Sequence, residues 1–164
     1  MTTRNHDRTT PRRGRGDDGA ALLEFALVAV LLFTLLFGII NFGLILSFKQ
    51  DVTRAAAEGA RGGAVAYPAS PGQTFEEAAE LAALEDTDRA VRSISGTFDD
   101  DGCDTSGMTC DIDVSACQDQ PTQQCVTVRV SYAYDEEPLF GSLPFMDGFL
   151  PNQVASTSVA RINQ

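Results

Sequence analysis

The chain has 164 residues, of which 43% are apolar and 21% are charged, and its formal net charge is -11 at pH 7. Once the amino-terminal segments are set aside, this length leaves room for one domain. The acidic composition argues against nucleic acid as a partner, because phosphate backbones are bound through clustered Lys and Arg side chains.

Residues 1–19 form a polar leader. They contain five arginines and show no apolar period, so we expect no regular structure there. The leader is one of three predicted segments, followed by a helix over residues 20–63 and an outer domain over residues 64–164.

An uncharged run of 24 residues, 25–48, follows the leader. As a helix it would measure about 36 Å, enough to cross a hydrocarbon core of about 30 Å. The alternative is a secretory signal peptide, whose apolar region is usually about 7 to 15 residues long and ends at small residues. This run is longer and ends at Lys49, so we predict a retained single-pass span.

The distribution of cations predicts the orientation of this span. Five arginines precede it, whereas Lys49, Arg54 and Arg61 are the cations of the next 20 residues. Cytoplasmic flanks carry the excess of Lys and Arg. We therefore place the amino terminus in the cytoplasm and the carboxy-terminal domain outside a cell membrane.

Glu24 lies where the span begins. A carboxylate inside a membrane is costly unless a partner neutralises it, so it indicates a function. A cut between Gly19 and Ala20 would supply that partner, because Ala20 would then carry an α-ammonium with a pKa of about 8. The alternative is that Glu24 only extends to the interface, since it lies about 6 Å from the helix start.

Small and polar residues near the end of the span allow two interpretations. Gly38, Asn41 and Gly43 would permit close helix packing, with Asn41 hydrogen-bonded across the interface. The two glycines would equally permit a kink.

Beyond the span, charge spacing predicts that the helix continues. Asp51, Arg54, Glu58 and Arg61 recur at spacings of three and four residues, which brings opposite charges together on one stripe. Two adjacent glycines at 62–63 are the predicted stop.

A second helix is predicted after a Pro/Gly/Ser linker at residues 67–73. Thr74 and Glu77 form a capping-box pattern, with Thr74 as N-cap. An apolar stripe on this helix is predicted to pack on a sheet; it comprises Phe75, Ala78, Leu81, Leu84, Val91 and Ile94.

Strand patterns come late in the chain. Residues 125–134 alternate between apolar and polar side chains, residues 154–162 alternate in a similar way, and residues 112–114 offer a third strand. The predicted fold class is α+β, with a long amino-terminal helix, one further helix and a small antiparallel sheet.

Four cysteines lie on the predicted outer side, where an oxidising compartment permits disulfides. Three connectivities are possible. We favour the two local pairs, Cys103 with Cys110 and Cys117 with Cys125. The gaps do not match the C-x2-C spacing of zinc sites, and the acidic turn at residues 99–102 does not match an EF-hand, so we expect no metal.

An apolar loop occupies residues 138–151. It contains Phe140, Phe145 and Phe149 among Gly and Pro residues. Such a loop either folds over the core or docks onto another subunit or the membrane surface.

The chain offers little for catalysis. Its only histidine is His6, in the leader, so the processed protein has no histidine to act as a general base or metal ligand. We expect neither enzymatic activity nor a cofactor.

Three stretches carry a resemblance to a known family. They read GAALLEFAL at residues 19–27, FGIINFG at 37–43 and RAAAEGAR at 54–61. The first looks like the processing site of type IV pilin-like proteins, which a membrane peptidase cuts after the Gly. Together the three resemble the TadE-like pseudopilins of bacterial tight-adherence (Flp-type) pilus systems.

The resemblance implies a minor pilin, or pseudopilin, cleaved by a prepilin peptidase between Gly19 and Ala20. Its implied partners are that peptidase, other pilins and pseudopilins, the inner-membrane assembly platform and the lipid bilayer. Ala20, Glu24 and Phe25 would set the register of neighbouring subunits.

The resemblance also marks a juxtamembrane motif, made of Arg54, Glu58, Gly59 and Arg61. The alternative function is a single-pass anchored binding module with no role in a fibre. Detection of a processed amino terminus would distinguish the two.

Overall fold

The computed structural model describes residues 15–94, 101–136, 139 and 151–162, and every structural statement below concerns these residues. The chain divides into two compact units, Met1–Phe42 and Gly43–Gln164. In chain order the elements are helix α1 (Arg15–Val65), helix α2 (Phe75–Arg92), a 3-10 turn (Gly102–Asp104) and strands β1 (Met108–Ala116), β2 (Gln124–Tyr132) and β3 (Val154–Arg161). The predicted α+β class is confirmed.

The first unit contains the apolar part of α1. The most apolar 18-residue window of this helix has a mean hydropathy of 2.6 and none of it is buried, so α1 is long and apolar enough to cross a membrane. The helix begins at Arg15, five residues before Ala20, so the end of the leader is helical and not irregular as expected.

In the second unit, α1 contributes to the domain core. Ile45, Phe48 and Val52 are buried, and the Phe48 ring meets the Tyr132 ring edge-on at 5.4 Å. The uncharged run therefore has two environments. Residues 25–44 measure about 30 Å as a helix, which matches a hydrocarbon core, and the last residues of the run pack inside the domain.

The predicted stop at Gly62 and Gly63 is wrong, because α1 continues to Val65. A Cβ added at Gly63 would lie 2.8 Å from the Ala79 carbonyl oxygen and 3.1 Å from Val126 Cγ1. Glycine is required here because α2 and the sheet approach the α1 backbone, and this packing holds the helix past two residues that favour a stop.

Helix α2 begins at the predicted capping box. The Glu77 amide donates to Thr74 Oγ1 at 3.1 Å, and the Thr74 amide donates to Glu77 Oε2 at 2.9 Å. The start is therefore confirmed, and the box satisfies two amides that have no partner in the helix ladder.

The predicted apolar stripe of α2 is partly wrong. Leu81 is 60% exposed and Leu84 is 43% exposed. The buried positions of this helix are instead small or β-branched, namely Ala78, Ala79, Ala83, Thr87, Ala90 and Val91. A leucine on the buried face would push α2 away from the glycine-rich end of α1, so the large side chains point outward.

The sheet has the order β1-β2-β3, with both pairs antiparallel. The apolar face predicted for residues 125–134 is confirmed, since Val126, Val128, Val130, Tyr132 and Tyr134 are all buried. The strand itself ends at Tyr132, two residues before the predicted end, and Cys125 and Ser131 of the opposite face are buried as well. One face of the sheet packs against the helices. The other face carries mainly polar side chains, including Asp111, Asp113, Arg129 and Thr157.

Candidate functional site

The segment from Gly19 to Phe25 is one exposed stretch of α1. A Cβ added at Gly19 meets nothing within 4 Å, and Phe25 is 72% exposed. Ala20 and Glu24 are four residues apart and therefore share a helix face. Nothing in the described residues forms an ion pair with Glu24.

A new amino terminus at Ala20 would change the electrostatics of this stretch. Its ammonium would sit at the positive end of the helix macrodipole, which disfavours a cation. A carboxylate one turn along the helix compensates that charge. Glu24 would therefore offset the new charge if the chain were cut after Gly19, and this role of Glu24 stays a prediction.

The small-residue segment of the span makes no packed interface in the single chain. An added Cβ at Gly38 or at Gly43 meets nothing within 4 Å. Asn41 Nδ2 donates to the Phe37 carbonyl oxygen at 2.9 Å, within its own helix. This amide donor therefore does not depend on a neighbouring helix, and the predicted cross-helix bond stays a prediction.

The juxtamembrane motif has two faces. Arg54 Nε and Glu58 Oε1 form an exposed ion pair at 2.7 Å, and the hydrogen bond to Glu58 raises the pKa of Arg54. Arg61 is also exposed. Gly59 faces inward, where an added Cβ would collide with Thr87 Oγ1. The motif thus joins a solvent-facing charge pattern to the contact with α2.

Thr87 completes this helix contact. Its side chain is fully buried, and its hydroxyl donates to the Ala83 carbonyl oxygen at 2.6 Å. The bond satisfies the Thr87 hydroxyl, which allows this buried side chain to lie directly on Gly59. Sequence reasoning missed this contact, although the G-x-x-x-G spacing from Gly59 to Gly63 was a signal for it.

The four cysteines form the two local disulfides, Cys103–Cys110 and Cys117–Cys125. This is the connectivity that the spacing favours. The first bridge ties the 3-10 turn to β1, and the second closes the connection between β1 and β2. Each bridge therefore fixes a short connection of the outer domain.

Asp88 links the first disulfide to α2. Asp88 Oδ1 accepts a hydrogen bond from the Cys103 amide at 2.9 Å, and Oδ2 accepts one from Arg92 Nε at 2.7 Å. Burial alone raises the pKa of Asp88, but the bonds from Arg92 and Cys103 outweigh it and lower that pKa. Gly102 has a φ of 56°, and an added Cβ there would strike Asp88.

A groove crosses the outer face of the sheet beside the second disulfide. Its lining includes Asp113, Thr127, Val159 and Arg161. Ser115 Oγ donates to Asp113 Oδ2 at 2.7 Å. In the described part of the chain, no three His, Cys, Asp or Glu side chains meet as a metal site would require.

The predicted docking loop is the last candidate. Phe140, Phe145 and Phe149 lie outside the described residues, so both interpretations of the loop stay predictions. Leu139 is half-buried against the core, and Pro151 is exposed where the described chain resumes.

Comparison with known proteins gives one match. A family model described as "TadE-like protein" matches residues 19–61. No curated protein and no solved structure matches the chain. The matched region begins at the predicted cut and ends with the juxtamembrane motif, so the resemblance seen in the sequence is confirmed. Residues 19–61 are thus similar to the TadE-like family, and they are called the TadE-like segment below.

Proposed function

We propose that this chain is a TadE-like minor pilin that acts in the assembly of a tight-adherence pilus. The observation that carries the proposal is the TadE-like match, which begins at Gly19. The helix that follows exposes apolar side chains suited to a bilayer. A small domain with two disulfides follows the helix, and disulfides form and persist in the oxidising compartments that an exported subunit enters.

A prepilin peptidase cuts the chain between Gly19 and Ala20. Water adds across this peptide bond, so that Gly19 leaves as a carboxylate and Ala20 becomes an α-ammonium. Glu24 then pairs with this ammonium, either in its own chain or in a neighbouring subunit. Pairing between chains sets the axial register of the subunits.

The span anchors the subunit in the cell membrane, with the leader in the cytoplasm and the domain outside. There it meets its partners, which are the peptidase, other pilins and pseudopilins, and the inner-membrane assembly platform. The juxtamembrane charges Arg54 and Arg61 are exposed and available to such partners.

The cut is tested by intact mass spectrometry of the protein extracted from membranes. We expect Ala20 as the first residue. Gly19→Val should block the cut, whereas Gly38→Val is the matched control, because an added Cβ meets nothing within 4 Å at either glycine. Steric disturbance of the fold therefore cannot explain a difference between the two variants.

The same experiment addresses the alternative of an anchored binding module. Protein that still begins at Met1 in cells with an active peptidase would favour the anchor. Glu24→Gln tests the pairing, since it keeps the side-chain shape and removes the charge. Wild-type amounts of fibre from Glu24→Gln, with Glu24→Asp as the charge-retaining control, would contradict the role given to Glu24.

A further inference from the structure

β2 is the central strand of the sheet, so β1 and β3 are its edges. No described strand pairs with the outer side of either edge strand. The Ile162 amide donates to the Gln124 carbonyl oxygen at 2.9 Å, and the Ala133 amide donates to that of Gly107 at 2.9 Å. In an antiparallel pair the hydrogen-bonded positions recur every second residue. The backbone groups of even-numbered β2 residues therefore bond to β3, and those of odd-numbered β2 residues bond to β1. At the β3 edge, the amides and carbonyls that point outward are those of Ala155, Thr157, Val159 and Arg161.

The two edges differ in charge. From residue 154 to residue 160, β3 has no charged side chain, and Arg161 ends the strand. β1 carries Asp111 and Asp113. Natural sheets usually protect an exposed edge with charges, proline or a bulge, and β3 has none of these before Arg161.

The unmatched charges on the two edges are opposite. Within the described residues, neither Arg161 nor Asp113 forms an ion pair. Asp111 differs, because Arg129 lies directly across from it on β2. Each edge therefore presents a charge that the other edge of a second copy can neutralise.

We propose that β3 of one copy pairs with β1 of the next copy as parallel strands, so that the sheet continues from copy to copy. In this arrangement Arg161 lies beside Asp113 of the next copy, and Thr157 lies beside its Thr109. The outward groups of Thr157, Val159 and Arg161 bond to the Met108 carbonyl and to the outward groups of the later β1 residues. The Met108 amide takes no part, because it already donates to the Thr105 carbonyl oxygen at 3.0 Å.

The direction of α1 favours this pairing over a twofold one. In the second unit the Phe48 ring contacts Tyr132, while a Cβ at Gly63 would lie 3.1 Å from Val126 Cγ1. This part of α1 therefore runs antiparallel to β2 and parallel to β1 and β3. A symmetric pair of β3 strands would reverse the second copy, and the two α1 helices would leave their domains at opposite ends.

Parallel pairing of β3 with β1 gives every copy the same direction, as subunits anchored in one membrane require. The contact is heterologous, so it builds an open row of copies instead of a closed dimer. It depends neither on the cut after Gly19 nor on a role in a fibre. The inference therefore goes beyond the proposed function.

Cysteine cross-linking of the full chain in membranes tests the pairing. Thr157→Cys and Thr109→Cys are placed in one chain, and oxidation should then give a ladder of covalent oligomers. Each single variant should give none. A dimer from Thr157→Cys alone would indicate a symmetric β3 pair and overturn the proposal, as would the absence of a ladder from the double variant.

A proline scan separates edge pairing from folding. Val159→Pro removes an amide that points away from the chain's own sheet, and such positions tolerate proline. It should abolish the ladder while the melting temperature is kept. Ser158→Pro is the matched control, because it removes a bond to Val128 and should unfold the domain. A full ladder from Val159→Pro would overturn the proposal.

A charge exchange gives a second measurement if Val159→Pro lowers the melting temperature. Arg161→Glu should remove the ladder, and Arg161→Glu combined with Asp113→Arg should restore it. An undiminished ladder from Arg161→Glu, or no restoration by the double exchange, would contradict the pairing. All variants are also measured in the uncut Gly19→Val form, so a failure of the peptidase cut does not affect the result.

Discussion

The two units of this chain use glycines of the same helix in opposite ways. In the first unit, a Cβ at Gly38 meets nothing within 4 Å. In the second unit, Gly59 and Gly63 have no room for a Cβ, because Thr87, Ala79 and the sheet lie against them. Glycine in a helix costs about 1 kcal/mol relative to alanine. At Gly59 and Gly63 this cost is offset by close packing against α2 and the sheet, whereas the single chain shows no such packing at Gly38.

The two units differ in whether the contacts of their small residues lie within the same chain. The described part of the second unit buries the small residues of both helices within one copy. The first unit exposes its apolar surface, and its small residues can pack only on lipid or on another chain. We therefore expect the same substitution to lower stability in the second unit and to leave it unchanged in the first.

The largest effect is expected for Gly63→Val. Three added carbons would be forced against the Ala79 carbonyl oxygen, the Ala83 methyl group and Val126 Cγ1, where the first atom alone lies within 3.1 Å of all three. We expect a loss of about 3 kcal/mol, seen as a melting temperature lower by about 10 °C for the full chain in detergent.

Gly38→Val is the control for that measurement. It should leave the melting temperature of the domain unchanged, because an added Cβ there has open space on all sides. An equal fall in melting temperature for Gly38→Val and Gly63→Val would show that valine destabilises α1 at both sites. The proposed difference between the two units would then be wrong.

Removal of one disulfide should have the next largest effect. The bridges close loops with sequence separations of 7 and 8 residues, for which loop-closure entropy gives about 2.5 kcal/mol each. Cys117→Ser with Cys125→Ser should lower the melting temperature of the domain and leave the helical signal of the span intact. If the wild-type domain had the same melting temperature with and without reductant, the disulfides would not contribute this stability.

Local patterns made the sheet and the helix starts predictable. The alternation around Val128 needs only a period of two, and the capping box at Thr74 and Glu77 needs only four neighbouring residues. Both signals are complete within one short segment, and the structure confirms both.

The errors arose where the answer depends on a distant segment. Gly63 looks like a helix stop until α2 lies against it, and Leu81 looks like core until the close approach of α1 turns the small face of α2 inward. In the same way, the spacing of Asp88 and Arg92 indicates a surface pair. It does not show that Asp88 also receives the Cys103 amide, 15 residues later in the chain.

Asp88→Asn should give the third effect, and it depends on pH. The folded-state pKa of Asp88 is lowered by the bonds from Arg92 and the Cys103 amide, which outweigh burial. A depressed pKa adds stability above the unfolded-state value of about 3.9, and that stability is lost as the pH falls through the folded-state value.

We therefore expect Asp88→Asn to cost about 1 kcal/mol at pH 7 and to flatten the fall in stability below about pH 4. Denaturant unfolding at several pH values measures both quantities. Glu85→Gln is the control, because the Glu85 side chain is 74% exposed and solvent screens its ion pair with Arg89. The stability of this variant at pH 7 should match that of the wild type. A wild-type acid slope in Asp88→Asn would show that this carboxylate does not support the disulfide loop.

The smallest effect is expected at Arg54 and Glu58. They lie on the exposed side of α1, whereas Gly59, on the opposite side of the same helix, packs against α2. Their ion pair spans one turn, and the two side chains are 72% and 45% exposed. Such exposed pairs contribute little to stability, because solvent and salt screen them. Glu58→Gln should thus barely change the melting temperature. If Glu58→Gln nevertheless reduces fibre or membrane assembly, the exposed side of the TadE-like segment binds other chains, while its inner side, at Gly59, packs within the domain.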